Sequence, residues 1–180
     1  MDGKKIADRY ENPFDIYLIK IGSQLGKVFI KLNITPNMIT TLSLISTLIG
    51  IQYIYVEQYK IGAILYYIGY FFDCMDGNYA RTYNMTSNIG DKYDHIGDGI
   101  KVIFLIICLY LLKINKCTKV LFVIISFMLG IISLIHLGCQ EKIKKSDDKS
   151  VLDIFKFLCL DPNHIIYTRY FGTGTVQLFI

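Results

Sequence analysis

Five aspartates fall between positions 73 and 98 of a chain that is 53% hydrophobic. They are Asp73, Asp76, Asp91, Asp94 and Asp98. Grouped carboxylates offer hard oxygen ligands, which favour Mg²⁺, Mn²⁺ or Ca²⁺ over zinc. Close carboxylates need cations to stay ionised together, and two divalent ions would balance four of them. The pattern therefore predicts a divalent-metal site.

The spacing of these acids fits two neighbouring helices. At about 100° per residue, one face of the first helix carries Asp73, Asp76, Gly77 and Ala80. The next helix carries Gly90, Asp94 and Asp98 at intervals of one turn. Because the two helices are consecutive and antiparallel, we expect these faces to meet. A solvated loop would not need this periodicity.

The elements around the acids have the length and apolar character of membrane spans, which need ~20 residues. Four complete spans are predicted at residues 38–56, 61–80, 90–112 and 120–137, and a fifth, partial one begins near residue 171. An ionisable residue in mid-span costs about 2.5–3.5 kcal/mol and usually marks a functional site. The expected fold class is all-α, an integral membrane helical bundle.

An amphipathic helix is predicted over residues 14–32, before the first span. Apolar residues recur there every three or four positions, and Lys20, Lys27 and Lys31 occupy the other side. Such a helix suits the membrane interface. Thr35 is a good N-cap and Pro36 a good first residue for the span that follows. Residues 1–33 thus form a cytoplasmic N-terminus, and residues 34–180 a transmembrane domain.

Charge and cysteine usage exclude other classes of protein. The net charge is +4, and no block of basic residues interleaved with aromatics predicts nucleic-acid binding. None of the five cysteines has CxxC spacing, so structural roles are expected for them rather than a zinc or redox site. By the positive-inside rule the N-terminus, the loop after the second span and the segment after the fourth are cytoplasmic.

Residues 73–98 also carry a family motif, since they read DCMDGNYARTYNMTSNIGDKYDHIGD. This run resembles the signature DxxDGxxARx(8)GxxxDxxxD of the CDP-alcohol phosphatidyltransferase family, with every fixed position filled. Thr35-Pro36-Asn37, with Thr40 following, resembles the opening of the family's first span. The resemblance implies a membrane transferase of phospholipid biosynthesis. Such an enzyme moves a substituted phosphate from a CDP-linked donor to an alcohol and releases CMP.

The resemblance also implies a role for each motif residue. The metal ligands, for two Mg²⁺ or Mn²⁺ ions, would be Asp73, Asp76, Asp94 and Asp98. Asp98 would also be catalytic, as the general base for the acceptor hydroxyl. The nucleotide-binding residues would be Asn37, Thr40, Asp76, Gly77, Ala80, Arg81, Gly90 and Asp94. Asp91 lies outside the motif and is expected to complement the helix dipole.

His95 bears on the choice of substrate. An Asp-His pair at this point resembles the choline and ethanolamine phosphotransferase branch, which transfers from CDP-choline or CDP-ethanolamine to diacylglycerol. The alternative is transfer from CDP-diacylglycerol to a polar alcohol such as inositol, serine or glycerol phosphate. The partners expected are the CDP-linked donor, the acceptor, membrane lipids and a second copy in a homodimer. The active site would face the cytoplasm, from an endoplasmic-reticulum-type membrane in a eukaryotic host.

Two rival hypotheses remain at this point. Family members usually have six spans, so four plus a fragment predict a C-terminally incomplete domain. The chain would then be an inactive, truncated membrane interaction protein. A divalent-cation transporter would also place acids in its spans, but it gives no reason for the Gly, Ala and Arg positions of the motif.

Overall fold

The structure is a computed structural model that describes residues 3–144 and 151–179. The long helices are α1 (Pro13–Phe29), α2 (Pro36–Tyr55), α3 (Tyr59–Thr82), α4 (Asn88–Leu111) and α5 (Lys116–Ile143). The short ones are α6 (Ile165–Thr168), α7 (Thr173–Phe179) and 3₁₀ helices at Ile30–Leu32, Val151–Leu158, Pro162–His164 and Arg169–Phe171. The described residues contain no strand, so the predicted all-α class is confirmed.

Of the described helices, α2 and α5 are long and apolar enough to cross a membrane. Helices α3 and α4 have 24 residues each, or about 36 Å at 1.5 Å per residue, which exceeds the ~30 Å of a bilayer core. They carry the acids, which lowers their hydropathy. This arrangement fits an integral membrane helical bundle.

The chain divides into two compact units. The first contains Ile19–Asn115, and with it α2, α3, α4 and the acidic motif; the second contains Lys4–Leu18 and Lys116–Ile180. In the first unit α2 packs against both α3 and α4. The motif residues therefore belong to one unit, and α2 is the element that connects their helices.

Local signals account for the helix starts in the first unit. The Thr35 side chain accepts a hydrogen bond from the backbone N–H of Met38 at 3.4 Å, and Pro36 occupies the first turn, which confirms the predicted cap. Ser87 caps α4 in the same way, accepting from Gly90 N–H at 3.0 Å. This cap fixes where α4 begins, about two turns before Asp94, its first motif acid.

The C-terminal half of α1 packs against α2 and α3. Leu25 and Phe29 pack against a buried cluster of Ile39, Met75 and Tyr79. Other apolar residues remain exposed, namely Ile21 and Val28 of α1 and Leu32 of the 3₁₀ helix that follows it. An interfacial helix needs this combination, because one part of its apolar surface holds the protein and another part contacts lipid.

In the second unit, the end of α5 differs from the prediction made from the sequence. Helix α5 extends to Ile143, past the predicted end at position 137, and Glu141 near that end is 2% exposed and ion-paired with Lys5 and Lys144. The backbone continues as a helix because these partners compensate the buried charge. Hydrogen bonds from Lys156 and Lys144 hold the pKa of Asp153 well below its usual range.

A disulfide joins Cys139 of α5 to Cys159 in the second unit. Sequence analysis assigned structural roles to the cysteines but no pairing. The stretch predicted to begin a fifth span near residue 171 forms α7, a helix of seven residues. At about 1.5 Å per residue, it covers roughly a third of a bilayer core.

Candidate active site

The interface between α2 and α3 is a seam of small residues. A Cβ atom on Gly69 would lie 2.8 Å from the backbone nitrogen of Thr47, and one on Gly50 would lie 2.6 Å from that of Tyr66. Only glycine permits such an approach of two helix backbones. Membrane helices commonly associate through small residues of this kind. The seam fixes how α2 and α3 are aligned along their length.

This alignment places two hydroxyl groups of α2 against the two acids of α3. Thr40 Oγ1 donates to Asp76 Oδ2 at 2.5 Å, and Ser43 Oγ donates to Asp73 Oδ1 at 3.3 Å. Thr40 and Asp76 are both 4% exposed. Hydrogen bonds to a carboxylate stabilise its charged form, so α2 orients the acids of α3 before any ligand arrives.

The acids of α4 have a different environment. Ligand atoms of Asp94, His95 and Asp98 lie within 4.8 Å of one another. Asp94 Oδ1 is buried and has no hydrogen-bond partner among the described residues. His95 Nε2 lies 3.5 Å from Asp91 Oδ1, one turn back in the first turn of α4. The α4 side therefore presents a potential ligand atom that no described residue satisfies.

Lys101 connects the two sides of the site. Its Nζ atom forms an ion pair with Asp73 Oδ1 on α3 and another, at 3.0 Å, with Asp98 Oδ1 on α4. Asp94 interacts electrostatically with the other three motif acids. The four acids and Lys101 thus form one group, hereafter the acid cluster. Sequence analysis missed Lys101, although its i,i+3 spacing from Asp98 was a usable signal.

The other motif residues form two smaller groups. A Cβ on Gly90 would lie 3.2 Å from Asn37 Oδ1, so α4 lacks a side chain where α2 presents this amide. A Cβ on Gly77 would lie 3.2 Å from Arg81 Nη1, and Arg81 Nε donates to the Gly3 carbonyl at 2.7 Å. Ala80, one residue before this arginine, is half-buried. The structure therefore places Asn37 beside Gly90, and Gly77 beside Arg81.

Residues 33–160 match the family model of the CDP-alcohol phosphatidyltransferases. The chain belongs to the CDP-alcohol phosphatidyltransferase family. It is similar to archaetidylinositol phosphate synthase of Pyrococcus horikoshii, with 31% identity over 77 residues. That match covers 43% of this chain and 41% of the relative. No solved structure matches the chain at a significant level.

CDP-alcohol phosphatidyltransferases generally depend on divalent metal ions, and the acid cluster fits such ions. Its four carboxylates supply oxygen ligands only, the set that Mg²⁺ and Mn²⁺ prefer. Asp94 Oδ1 is buried and lacks a hydrogen-bond partner among the described residues, so it is available to bind a metal ion. The cluster therefore has the chemistry of a divalent-metal site.

Proposed function

We propose that this CDP-alcohol phosphatidyltransferase moves a substituted phosphate from a CDP-linked donor to an alcohol and releases CMP. The observation that carries the proposal is the acid cluster itself. Four carboxylates from two helices converge there, and one of them, Asp94, has a buried oxygen without a partner in the part of the chain that the structure describes. A structural role would leave no reason to bury that oxygen unsatisfied, because doing so costs about 1–3 kcal/mol.

Two divalent cations, Mg²⁺ or Mn²⁺, would be held by Asp73, Asp76, Asp94 and Asp98. When bound, such ions neutralise charge on the diphosphate and on the leaving CMP. Within this set Asp76 is best suited to ligation alone, because it is 4% exposed and fixed by Thr40.

Asp98 is best suited to the proton transfer. Its side chain is 45% exposed, against 23% for Asp73, so an acceptor hydroxyl can approach it. The hydroxyl proton passes to the Asp98 carboxylate while the acceptor oxygen forms its bond to phosphorus. The bond from phosphorus to the CMP oxygen breaks, and CMP leaves as the anion.

The nucleotide would lie along the two smaller groups of motif residues. Gly77, Ala80 and Gly90 are small and would let the nucleotide approach the helix backbones, and the Asn37 amide lies beside Gly90. Arg81 would bind a donor phosphate through its guanidinium. Thr40 would act through Asp76, since its hydroxyl is already hydrogen-bonded to that carboxylate. Asp76 and Asp94 would contact the nucleotide by way of the metals.

For the acceptor we propose diacylglycerol, with CDP-choline or CDP-ethanolamine as donor. His95 supports this choice, because it lies with Asp94 and Asp98 at the site. A polar alcohol with a CDP-lipid donor is the second candidate. The relative from Pyrococcus horikoshii is named for an inositol phosphate product, and this observation favours the second candidate. Because the chain spans less than half of that relative, the assay below must decide.

We further propose a multi-pass orientation with the acid cluster open to the cytoplasm, in an endoplasmic-reticulum-type membrane if the host is eukaryotic. The N-terminal lysines support this orientation. The proposal includes a division into an interfacial region, 1–33, and a transmembrane domain, 34–180. Exposed apolar residues such as Ile106 and Tyr110 would contact lipid or a second copy in a homodimer. Labelling at position 84 of an Asn84→Cys variant from outside intact cells, beyond the labelling of the wild-type cysteines, would contradict this orientation.

The test is an assay of the purified full chain in lipid nanodiscs with Mg²⁺ or Mn²⁺ and a panel of CDP-linked donors. CMP release and labelled lipid products are measured for diacylglycerol and for polar alcohols. We expect CMP release with one donor–acceptor pair and its loss in excess chelator. Full activity in chelator would refute the metal site. Donor binding without CMP release from any pair would instead support an inactive interaction protein.

A further inference from the structure

Lys101 is the residue of the acid cluster that the family motif does not contain. It follows Asp98 by three residues on α4, and its side chain is 12% exposed. The side chain extends from α4 to α3 of the same unit, where it donates a hydrogen bond to Asp73. Because the Lys101 side chain is this deeply buried and ion-paired, the carboxylates hold its ammonium group in place and water does not solvate it freely.

The ammonium group of Lys101 binds two of the four carboxylates that are proposed to hold the metal ions. It donates to Asp73 Oδ1 and to Asp98 Oδ1, the latter at 3.0 Å. Asp73 Oδ1 also accepts from Ser43 at 3.3 Å. On the α4 side, in contrast, Asp94 Oδ1 is without a partner among the described residues. One part of the cluster is thus saturated by protein donors, and another part is open.

A lysine ammonium and a divalent cation cannot occupy this position together. Both are cations, and at about 4 Å two like charges repel by several kcal/mol even at an effective dielectric constant of 20 when one of them is doubly charged. Lysine is a compact point charge on a flexible four-carbon stem. It can withdraw from the carboxylates by rotation about that stem, without movement of the helices.

We propose that Lys101 is a resident cation of the metal-free site, and that divalent ions displace it from Asp73 and Asp98 when they bind. It is a positioning residue: it holds α4 beside α3 when the carboxylates would otherwise repel one another, and it opposes metal binding. Lys101 thereby sets the metal concentration at which the site fills. The inference rests on the metal ligation proposed above.

The experiment uses the full chain in nanodiscs without donor or acceptor. Mn²⁺ affinity is measured by calorimetry, and thermal unfolding is followed in chelator and in saturating Mn²⁺. Lys101→Gln should bind Mn²⁺ about tenfold more tightly than the wild type, since one repelling charge is removed. It should unfold at a lower temperature in chelator and at the wild-type temperature in saturating Mn²⁺. Lys92→Gln, an exposed lysine of the same helix, is the matched control and should change neither property.

A second measurement needs no variant. Acetylation of wild-type lysines, followed by mass spectrometry, should show Lys101 protected in chelator and more reactive in saturating Mn²⁺, with Lys92 as internal reference. Equal protection in both conditions would overturn the inference, as would weaker or unchanged Mn²⁺ binding by Lys101→Gln. The metal site itself would still stand in either case. If neither the wild type nor Lys101→Gln bound Mn²⁺, the proposed metal site would fail, and this inference with it.

Discussion

On the α3 side of the acid cluster, Asp76 is 4% exposed and receives a hydrogen bond from Thr40. On the α4 side, the Asp98 side chain is 45% exposed and is held through Lys101. The two helices also differ in how closely they pack against their neighbours. A Cβ on Gly69 of α3 would meet the α2 backbone within 3 Å, whereas one on Gly99 of α4 would meet nothing within 4 Å.

This difference separates two ways of positioning a carboxylate. Asp76 of α3 is placed by backbone packing and by a hydroxyl donor, so its geometry is present before ligands bind. Asp98 of α4 is placed by the charge of Lys101, which also pairs with Asp73 and can be exchanged when a metal or substrate arrives. Both sides, the rigid one at α3 and the adjustable one at α4, supply proposed metal ligands, and the proton transfer is proposed for the adjustable side. Variants on each side should therefore fail in different ways.

The largest effect is expected for Asp98→Asn, on the adjustable side. The amide keeps the shape and one oxygen ligand but cannot accept the hydroxyl proton, so turnover should fall by roughly 10²–10⁴. Donor binding, measured calorimetrically in saturating Mg²⁺, should persist. Asp91→Asn lies outside the motif and is the matched control. Turnover near the wild-type rate in Asp98→Asn would show that Asp98 is not the general base.

Arg81→Ala, on the rigid side, should weaken donor binding instead. Loss of a charged hydrogen bond to phosphate costs about 1.5–3 kcal/mol, or roughly 10- to 150-fold in the donor Kd. Turnover at saturating donor should change less. Arg81→Lys keeps the charge but loses the planar fork, so an intermediate Kd is expected. An unchanged donor Kd in Arg81→Ala would exclude this residue from the phosphate contact.

Thr40→Val tests whether the hydroxyl groups of α2 prepare the metal ligands. Partners that orient a metal ligand typically contribute 10- to 100-fold in affinity, so Mn²⁺ binding should weaken by roughly that factor. Thr41→Val is the control, because its hydroxyl contacts the Asn37 carbonyl at 2.8 Å and the Tyr93 hydroxyl at 3.0 Å. Equal Mn²⁺ affinities in the two variants would show that the seam does not prepare the site.

The smallest effect contrasts two glycines. Gly69→Ala places a methyl group 2.8 Å from the Thr47 nitrogen, and overpacking of this kind costs about 1–3 kcal/mol. Gly99→Ala meets no neighbour, so it should be neutral or stabilise its helix by up to ~1 kcal/mol. Unfolding in mixed micelles measures both. A similar change in the free energy of unfolding for the two variants would contradict the view that α3 packs closely at Gly69 while α4 is open at Gly99.

Signals that act within one helix were enough to predict much of this fold. The N-cap at Thr35 and the first-turn Pro36 are read from adjacent residues, and the structure shows both. The long apolar runs predicted the helices of the first unit to within a few residues. Such features depend on neighbours along the chain, which a sequence displays directly.

Features that depend on partners far along the chain were not predicted. The sequence contains Thr40, Asp76 and Lys101, but nothing local tells which hydroxyl or ammonium meets which carboxylate. The extension of α5 depends on Glu141 and its partner Lys5, 136 residues away. The sequence predicts that the acidic faces of the second and third spans meet, and their acids do come together, but it does not show that α2 packs against both helices or that the Lys101 side chain bridges Asp73 and Asp98.

The α2–α3 seam has a consequence for insertions and deletions. From Thr40 opposite Asp76 to Gly50 beside Tyr66, each step forward on α2 is matched by an equal step backward on α3. An extra residue within either helix would turn everything beyond it by about 100° and separate the Thr40 hydroxyl from its carboxylate. The hairpin can change length only at its turn near Glu57, where a loop absorbs the difference.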